Sequence, residues 1–138
     1  MLTEAAGVPI ALAVAGANHV DFKLARQTID GIPVTRPEPT RHKPQGMCLD
    51  KGYDYLEVWE LLEELGFAAH VAVNDPDAAP VKRGAGRKAR RWVVERTHSW
   101  MNRFRGVLTR WAKKPENYLA QLHLVCAVIT YRRAGLFG

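Results

Sequence analysis

Apolar residues recur every third position between residues 54 and 65, where Leu56, Trp59, Leu62 and Leu65 line one side of a 3.6-residue period. Asp54 and Glu57 form an Asp-x-x-Glu pairing of the capping-box kind, and Gly66 follows, so the pattern predicts a helix from Asp54 to Leu65. Short apolar runs on either side, Gly46 to Leu49 and Ala68 to Val73, read as strands, the first of them ending at Asp50. Further along, Val93, Thr97, Trp100, Phe104, Val107 and Trp111 recur at helical spacing and predict one long helix from about Arg90 to Trp111 with that stripe buried. Leu119, Leu122, Cys126 and Ile129 predict a last helix from Pro115 or Glu116 to about Arg133, with Gly135 just beyond it.

The start of the chain is patterned differently. Leu2 to Glu4 and Val8 to Ala15 read as the arms of a hairpin turned by Ala5-Ala6-Gly7. An arm of only three residues predicts that the chain enters a sheet part-way, with a strand missing upstream. Asp21 is placed to cap a helix running to about Ile29, which Asp30-Gly31-Ile32-Pro33 ends. Residues 36 to 45, with three prolines, form a polar connection, and residues 74 to 89, with Asp75-Pro76, Pro80 and Gly84-Ala85-Gly86, a basic loop. The order β-β-α-β-α-β-α-α predicts an α/β fold with a mixed sheet and flanking helices, one domain over residues 1 to 138.

Composition changes this picture little, whereas charge changes it much. The chain has 138 residues, 47% hydrophobic and 25% charged, ordinary for a globular domain. Cys48 and Cys126 sit in apolar runs and read as small core residues rather than a disulfide or metal ligands. The apolar stretch Gly7 to Ala17 is too short to span a bilayer and follows no basic region, so a cytoplasmic protein is expected. Between Lys82 and Lys114 stand twelve lysines and arginines and a single acid, Glu95, a balance of +11 in a chain whose remainder sums to −5. Such polarity is the footprint of a polyanion-binding surface. One acid inside it points to chemistry on the polyanion.

Two carboxylates are the candidates for that chemistry. Asp50 lies at the C-terminal end of a predicted strand, the edge where open α/β sheets bind ligands, although a plain turn acid would look the same. Glu95 shares a helix side with Arg91, His98, Ser99 and Asn102; a surface ion pair to Arg91 or Arg103 is the alternative. Together the two acids suit Mg²⁺ or Mn²⁺ and two-ion phosphodiester chemistry, for which a third acid is normally wanted. None among Asp21, Asp30, Asp75 and Asp77 is convincingly placed. Scattered histidines argue against zinc, and the spacing at Gly84-Ala85-Gly86-Arg87-Lys88 is wrong for a phosphate loop.

The run Gly16-Ala17-Asn18-His19-Val20-Asp21, the block Asp50-Lys51-Gly52-Tyr53-Asp54, and Arg91-Trp92-Val93-Val94-Glu95-Arg96-Thr97 through Arg103-Phe104-Arg105 resemble the C-terminal part of bacterial insertion-sequence transposases of the DDE type, in the insertion-sequence four and five superfamily. The resemblance spans nearly the whole chain. It implies an RNase H-like catalytic core with a basic loop over 74–89, a catalytic helix over 90–111 and a C-terminal helix over 116–133. It also implies metal-dependent cleavage of DNA at inverted-repeat transposon ends and strand transfer into target DNA by an oligomer in the bacterial nucleoid.

By the same resemblance Asp50 and Glu95 are the family's second aspartate and its glutamate, both ligands of Mg²⁺ or Mn²⁺. Lys82, Arg83, Arg87, Lys88, Arg90, Arg91, Arg96, Arg103 and Arg105 would contact DNA, with Arg91 as the signature arginine. Lys88 stands where that signature has tyrosine and Asn102 where it has lysine, a charge that Arg103 can supply. The family's first aspartate has no counterpart. The expectation is an N-terminally truncated domain, inactive or nearly so alone, being the second frame of a frameshifted gene whose missing segment comes from the upstream reading frame, a decayed fragment or the product of a misassigned start; a non-catalytic DNA-binding regulator or a decayed remnant is the alternative.

Overall fold

A computed structural model describes residues 1–16, 18–71 and 91–135, with Arg91 described in its backbone alone. The chain divides into two compact units, one formed by Met1–Val14, Gly31–Pro33 and Trp92–Gly138, the other by Ala15–Asp30 and Val34–Arg91. Strands in the described residues pair as two separate two-stranded sheets, one antiparallel and one parallel, where the element order predicts both orientations within one mixed sheet. The architecture is α/β.

The second unit is built on a β-α-β element. Strand β3 (Gln45–Leu49) pairs in parallel with β4 (Phe67–Val71), Met47 opposite Ala69 and Leu49 opposite Val71, and helix α2 (Leu56–Glu64) makes the crossover between them. Val58, Leu61 and Leu62 form its inner face, Leu62 with no exposed surface at all. Gly66 ends the helix as expected, taking φ +71°, which a side chain would resist. Arg36 reaches back to donate to the Leu65 carbonyl at 2.7 Å and lies 4.1 Å above the Phe67 ring. Helix α1 (Ala25–Asp30) follows a 3-10 turn, Asp21–Leu24, and Arg26 pairs with Glu64 on an exposed surface. Such a pair adds little stability.

Three expectations in this unit need correction. The helix predicted from Asp54 begins at Leu56, with Tyr55 as a cap residue that lends no side-chain hydrogen bond. Asp54 instead accepts from the Trp59 indole at 3.1 Å, because the 3-10 turn Lys51–Tyr53 sets it outside the helix. Asp21 does not cap either: it is the first residue of its 3-10 turn, after Val20. Cys48 is exposed, since strand alternation puts it on the face opposite buried Met47.

The first unit begins with the expected hairpin, shorter than predicted: β1 (Leu2–Thr3) and β2 (Pro9–Ala11) are antiparallel, with a register irregularity between Leu2 and Thr3. Glu4 closes the turn by accepting from the backbone N–H groups of Ala6 and Val8, both at 2.8 Å. The rest is helical: α3 (Arg91–Met101), α4 (Arg105–Leu108) and α5 (Pro115–Arg133). Met101, Leu122, Val125 and Ile129 are its buried centre, with Leu12, Trp100, Phe104, Val107, Tyr118 and Cys126 packed around them.

The long helix predicted over residues 90 to 111 is therefore two helices. Phe104 takes extended angles, φ −96° and ψ 107°, and caps α4 after a turn at Asn102 and Arg103. Asparagine favours such a turn because its side chain competes for backbone hydrogen bonds. Helix α4 stops at Thr109, also extended, so the helical period that would bury Trp111 ends before reaching it. Trp111 is 77% exposed.

Candidate active site

Asp50 sits at the end of β3 and opens the 3-10 turn Lys51–Tyr53, whose Gly52 N–H donates to its Oδ1 at 3.0 Å. That bond is the turn role foreseen as the alternative for Asp50, and it also fixes the carboxylate at the strand's C-terminal end. The 3-10 turn holding Asp21 packs against this one, and the Phe22 and Tyr55 rings stack at 4.1 Å. Burial raises the Tyr53 hydroxyl above its ordinary pKa, and the charges of Asp21 and Asp50 push it the same way. Asp21 and Asp50 therefore both lie within electrostatic reach of one phenol. Sequence spacing hid this, since 29 positions separate the two acids and no periodic pattern connects them.

Glu95 lies on α3 of the other unit and is exposed. Among the described residues it forms no ion pair, Arg103 included; the Arg91 side chain is outside them. Its neighbour one turn on, His98, is held below the usual imidazole pKa by burial and by the chain's amino terminus, with Glu95 opposing. Asp50 and Glu95 thus belong to different units. Each provides hard oxygen donors of the sort Mg²⁺ or Mn²⁺ takes, and no group of three metal-ligating side chains occurs among the described residues.

The cations assigned to DNA divide into three sets. Lys82, Arg83, Arg87, Lys88 and Arg90 lie outside the described residues, as does the Arg91 side chain, although its backbone starts α3. Arg96 is engaged internally. Its guanidinium donates to the Ala6 carbonyl and lies 4.8 Å from the Trp92 ring and 5.1 Å from the Trp100 ring, while Arg133 covers Trp100 at 4.5 Å. One residue on, Thr97 has no exposed surface, and its hydroxyl donates to the Gly7 carbonyl at 2.5 Å. The hairpin turn is thereby fastened to α3. Arg103 and Arg105 are exposed, as are Arg110, Lys113 and Lys114, which counted toward the charge but not toward the expected contacts.

Comparison with known proteins identifies the family. The model described as "Transposase DDE domain" matches residues 47–132, a span containing both Asp50 and Glu95. This chain belongs to the transposase DDE domain family, as the motifs led one to expect. It is 33% identical over 140 residues to the putative transposase for insertion sequence element IS402 of Burkholderia cepacia, an alignment covering 97% of this chain and 64% of that protein. The chain therefore spans less than two thirds of that relative's length. No solved structure matches it.

Among the described residues no helix is long and apolar enough to cross a membrane.

Proposed function

We propose that this chain is a catalytic part of a DNA transposase, in which Asp50 and Glu95 hold Mg²⁺ or Mn²⁺ against DNA phosphate. The observation that carries the reading is the family match over residues 47–132, which includes an aspartate at a strand's C-terminal end and the lone acid of the basic stretch. Both residues fit the group they would bind, since carboxylate oxygens are the preferred ligands of small hard cations. When bound, the ions supply an activated water and charge neutralisation at the leaving oxygen.

The chain's own part is positional. The Gly52 N–H holds one Asp50 oxygen, so the carboxylate meets a ligand already oriented. Glu95 projects from a helix whose register the Thr97 and Arg96 contacts fix to the hairpin. Arg103 and Arg105, with the cations of residues 82–91, grip the phosphates of the transposon's inverted-repeat ends and of target DNA. Two carboxylates are a short set for two ions, so a third acid comes from a complementing transposase segment or a second copy.

The test is Mn²⁺ binding, followed by paramagnetic relaxation of water, in the wild type, Asp50→Asn and Glu95→Gln. Each substitution is expected to weaken Mn²⁺ by tenfold or more and to abolish cleavage of an inverted-repeat duplex once a complementing segment is added. DNA affinity should stay equal or rise slightly, because an acid leaves a phosphate surface. Unchanged Mn²⁺ binding with intact DNA affinity would instead establish the non-catalytic DNA-binding regulator.

A further inference from the structure

Among the described residues Trp111 is the most exposed large hydrophobic side chain, at 77%, and in sequence it is flanked by Arg110, Lys113 and Lys114. No acid occurs between Glu95 and Glu116, and Arg103, Arg105, Arg110, Lys113 and Lys114 in that interval are all exposed. The loop that carries Trp111 has firm ends. Before it, Val107 packs on the Met101 and Leu122 cluster; after it, Lys114 takes φ −84° and ψ 132° as Pro115 demands, and α5 begins. Tyr118, also packed on that cluster, donates from its hydroxyl to the Val107 carbonyl at 3.4 Å and so ties the two ends together. Arg110 stays at the loop's root, its guanidinium 5.2 Å from the Tyr118 ring and its Nε donating to the Ala112 carbonyl at 3.3 Å.

An indole held out to water on a fixed base forgoes the burial that the adjacent core would give it. Cations on both sides select what can cover it: a polyanion that also offers a flat apolar face. Unpaired nucleotides fit this description, because their phosphates meet the cations while an unstacked base lies on the ring. Duplex DNA fits less well, since its base faces are already stacked on one another.

We infer that the loop over residues 109–114 is a binding site for unpaired nucleotides, with Trp111 as the stacking platform and Lys113 and Lys114 as phosphate contacts. This rests on the proposal that the chain acts on DNA and deepens it by naming the form of DNA that this surface prefers.

The experiment measures fluorescence anisotropy of labelled oligonucleotides with the full chain: a single strand, a blunt duplex of the same sequence, and that duplex with an unpaired overhang. Trp111→Ala should weaken binding to the single strand and the overhang by about 5- to 160-fold, the range of one lost base–aromatic stack, and leave the blunt duplex unaffected. Trp111→Phe should restore most of the loss. The double change Lys113→Ala with Lys114→Ala should lower the slope of log affinity against log salt on the single strand by about 1.4.

Equal losses on all three DNAs, or no loss on any, would overturn the inference while leaving DNA binding in place. Failure to bind any DNA at low salt would overturn the transposase reading as well. Binding to phosphatidylglycerol vesicles that Trp111→Ala abolishes, with DNA affinity unmoved, would reassign the loop to a membrane surface. Circular dichroism of each variant should match the wild type, because Trp111 contributes little to the core.

Discussion

Arg96 and Arg103 stand seven residues apart in one basic stretch, yet the first is bound into the fold and the second faces solvent. Up to Met101, the stretch is a helix whose Arg96 and Thr97 hold the turn of a hairpin 90 positions away in sequence. Past Met101, it is a short helix and a loop whose cations are exposed around a displayed tryptophan. A cluster of like charges is thus two things at once: structural at one end, a binding surface at the other. What separates Arg96 from Arg103 is that the Ala6 carbonyl and the Trp92 and Trp100 rings lie within reach of the Arg96 guanidinium.

The hairpin contact gives this contrast its largest test. Gly7 has φ +85°, and a Cβ there would stand 3.1 Å from both the Arg96 Nη2 and the Thr97 Oγ1. Gly7→Ala combines left-handed strain with that crowding and is expected to cost about 2 kcal/mol or more in urea unfolding. Thr97→Val keeps the shape but leaves the Gly7 carbonyl without its buried donor, at about 1–3 kcal/mol. If both variants unfold like the wild type, the hairpin is not fastened to α3.

A subtler comparison sets the arginines against one another. Arg96→Gln loses a hydrogen bond to Ala6 and two ring contacts, so it should cost about 1–2 kcal/mol of stability and leave the salt dependence of DNA binding unchanged. Arg103→Ala and Arg105→Ala should do the reverse: stability within about 0.5 kcal/mol of wild type, and a salt slope on duplex DNA lower by about 0.9 for each. A drop in slope for Arg96→Gln would put that residue back among the DNA contacts.

The smallest expected effect is that of pH. His98 is held below its ordinary value in the folded chain, so the unfolded chain takes up the proton first as pH falls. Its contribution is therefore intact above about pH 6.5, is lost progressively below it, and levels off beneath the folded value. Urea midpoints between pH 8 and 5 should fall less steeply in His98→Gln than in the wild type.

Periodic segments were the legible part of the fold. The last helix, predicted from Pro115 or Glu116 to about Arg133, runs from Pro115 to Arg133, and the strand ending at Asp50 and the stop at Gly66 are where pattern and chemistry put them. The break after Met101 was not legible, because Val93, Trp100, Phe104 and Val107 keep a helical period straight through it, and all four are at least partly buried. Trp111 shows the cost of trusting the period: a repeat of apolar residues does not reveal where the backbone leaves the helix. Of the proposed site, the placement of each carboxylate was legible: Asp50 at the end of a strand and Glu95 on a helix, alone among cations. The electrostatic reach of Asp21 and Asp50 onto Tyr53 was not, since it depends on how two 3-10 turns pack.

The fastening of residues 6 and 7 to residues 96 and 97 also bears on how the chain is made. At about 5–20 residues per second, a ribosome needs roughly 5–20 s to synthesise the 90 residues between the turn and its anchor. Throughout that interval the nascent hairpin lacks α3, the helix that anchors it. Contacts so distant in sequence form late and slow folding. Low temperature or scarce chaperones during expression should therefore be felt first at the amino-terminal strands, which among the described residues pair only with each other.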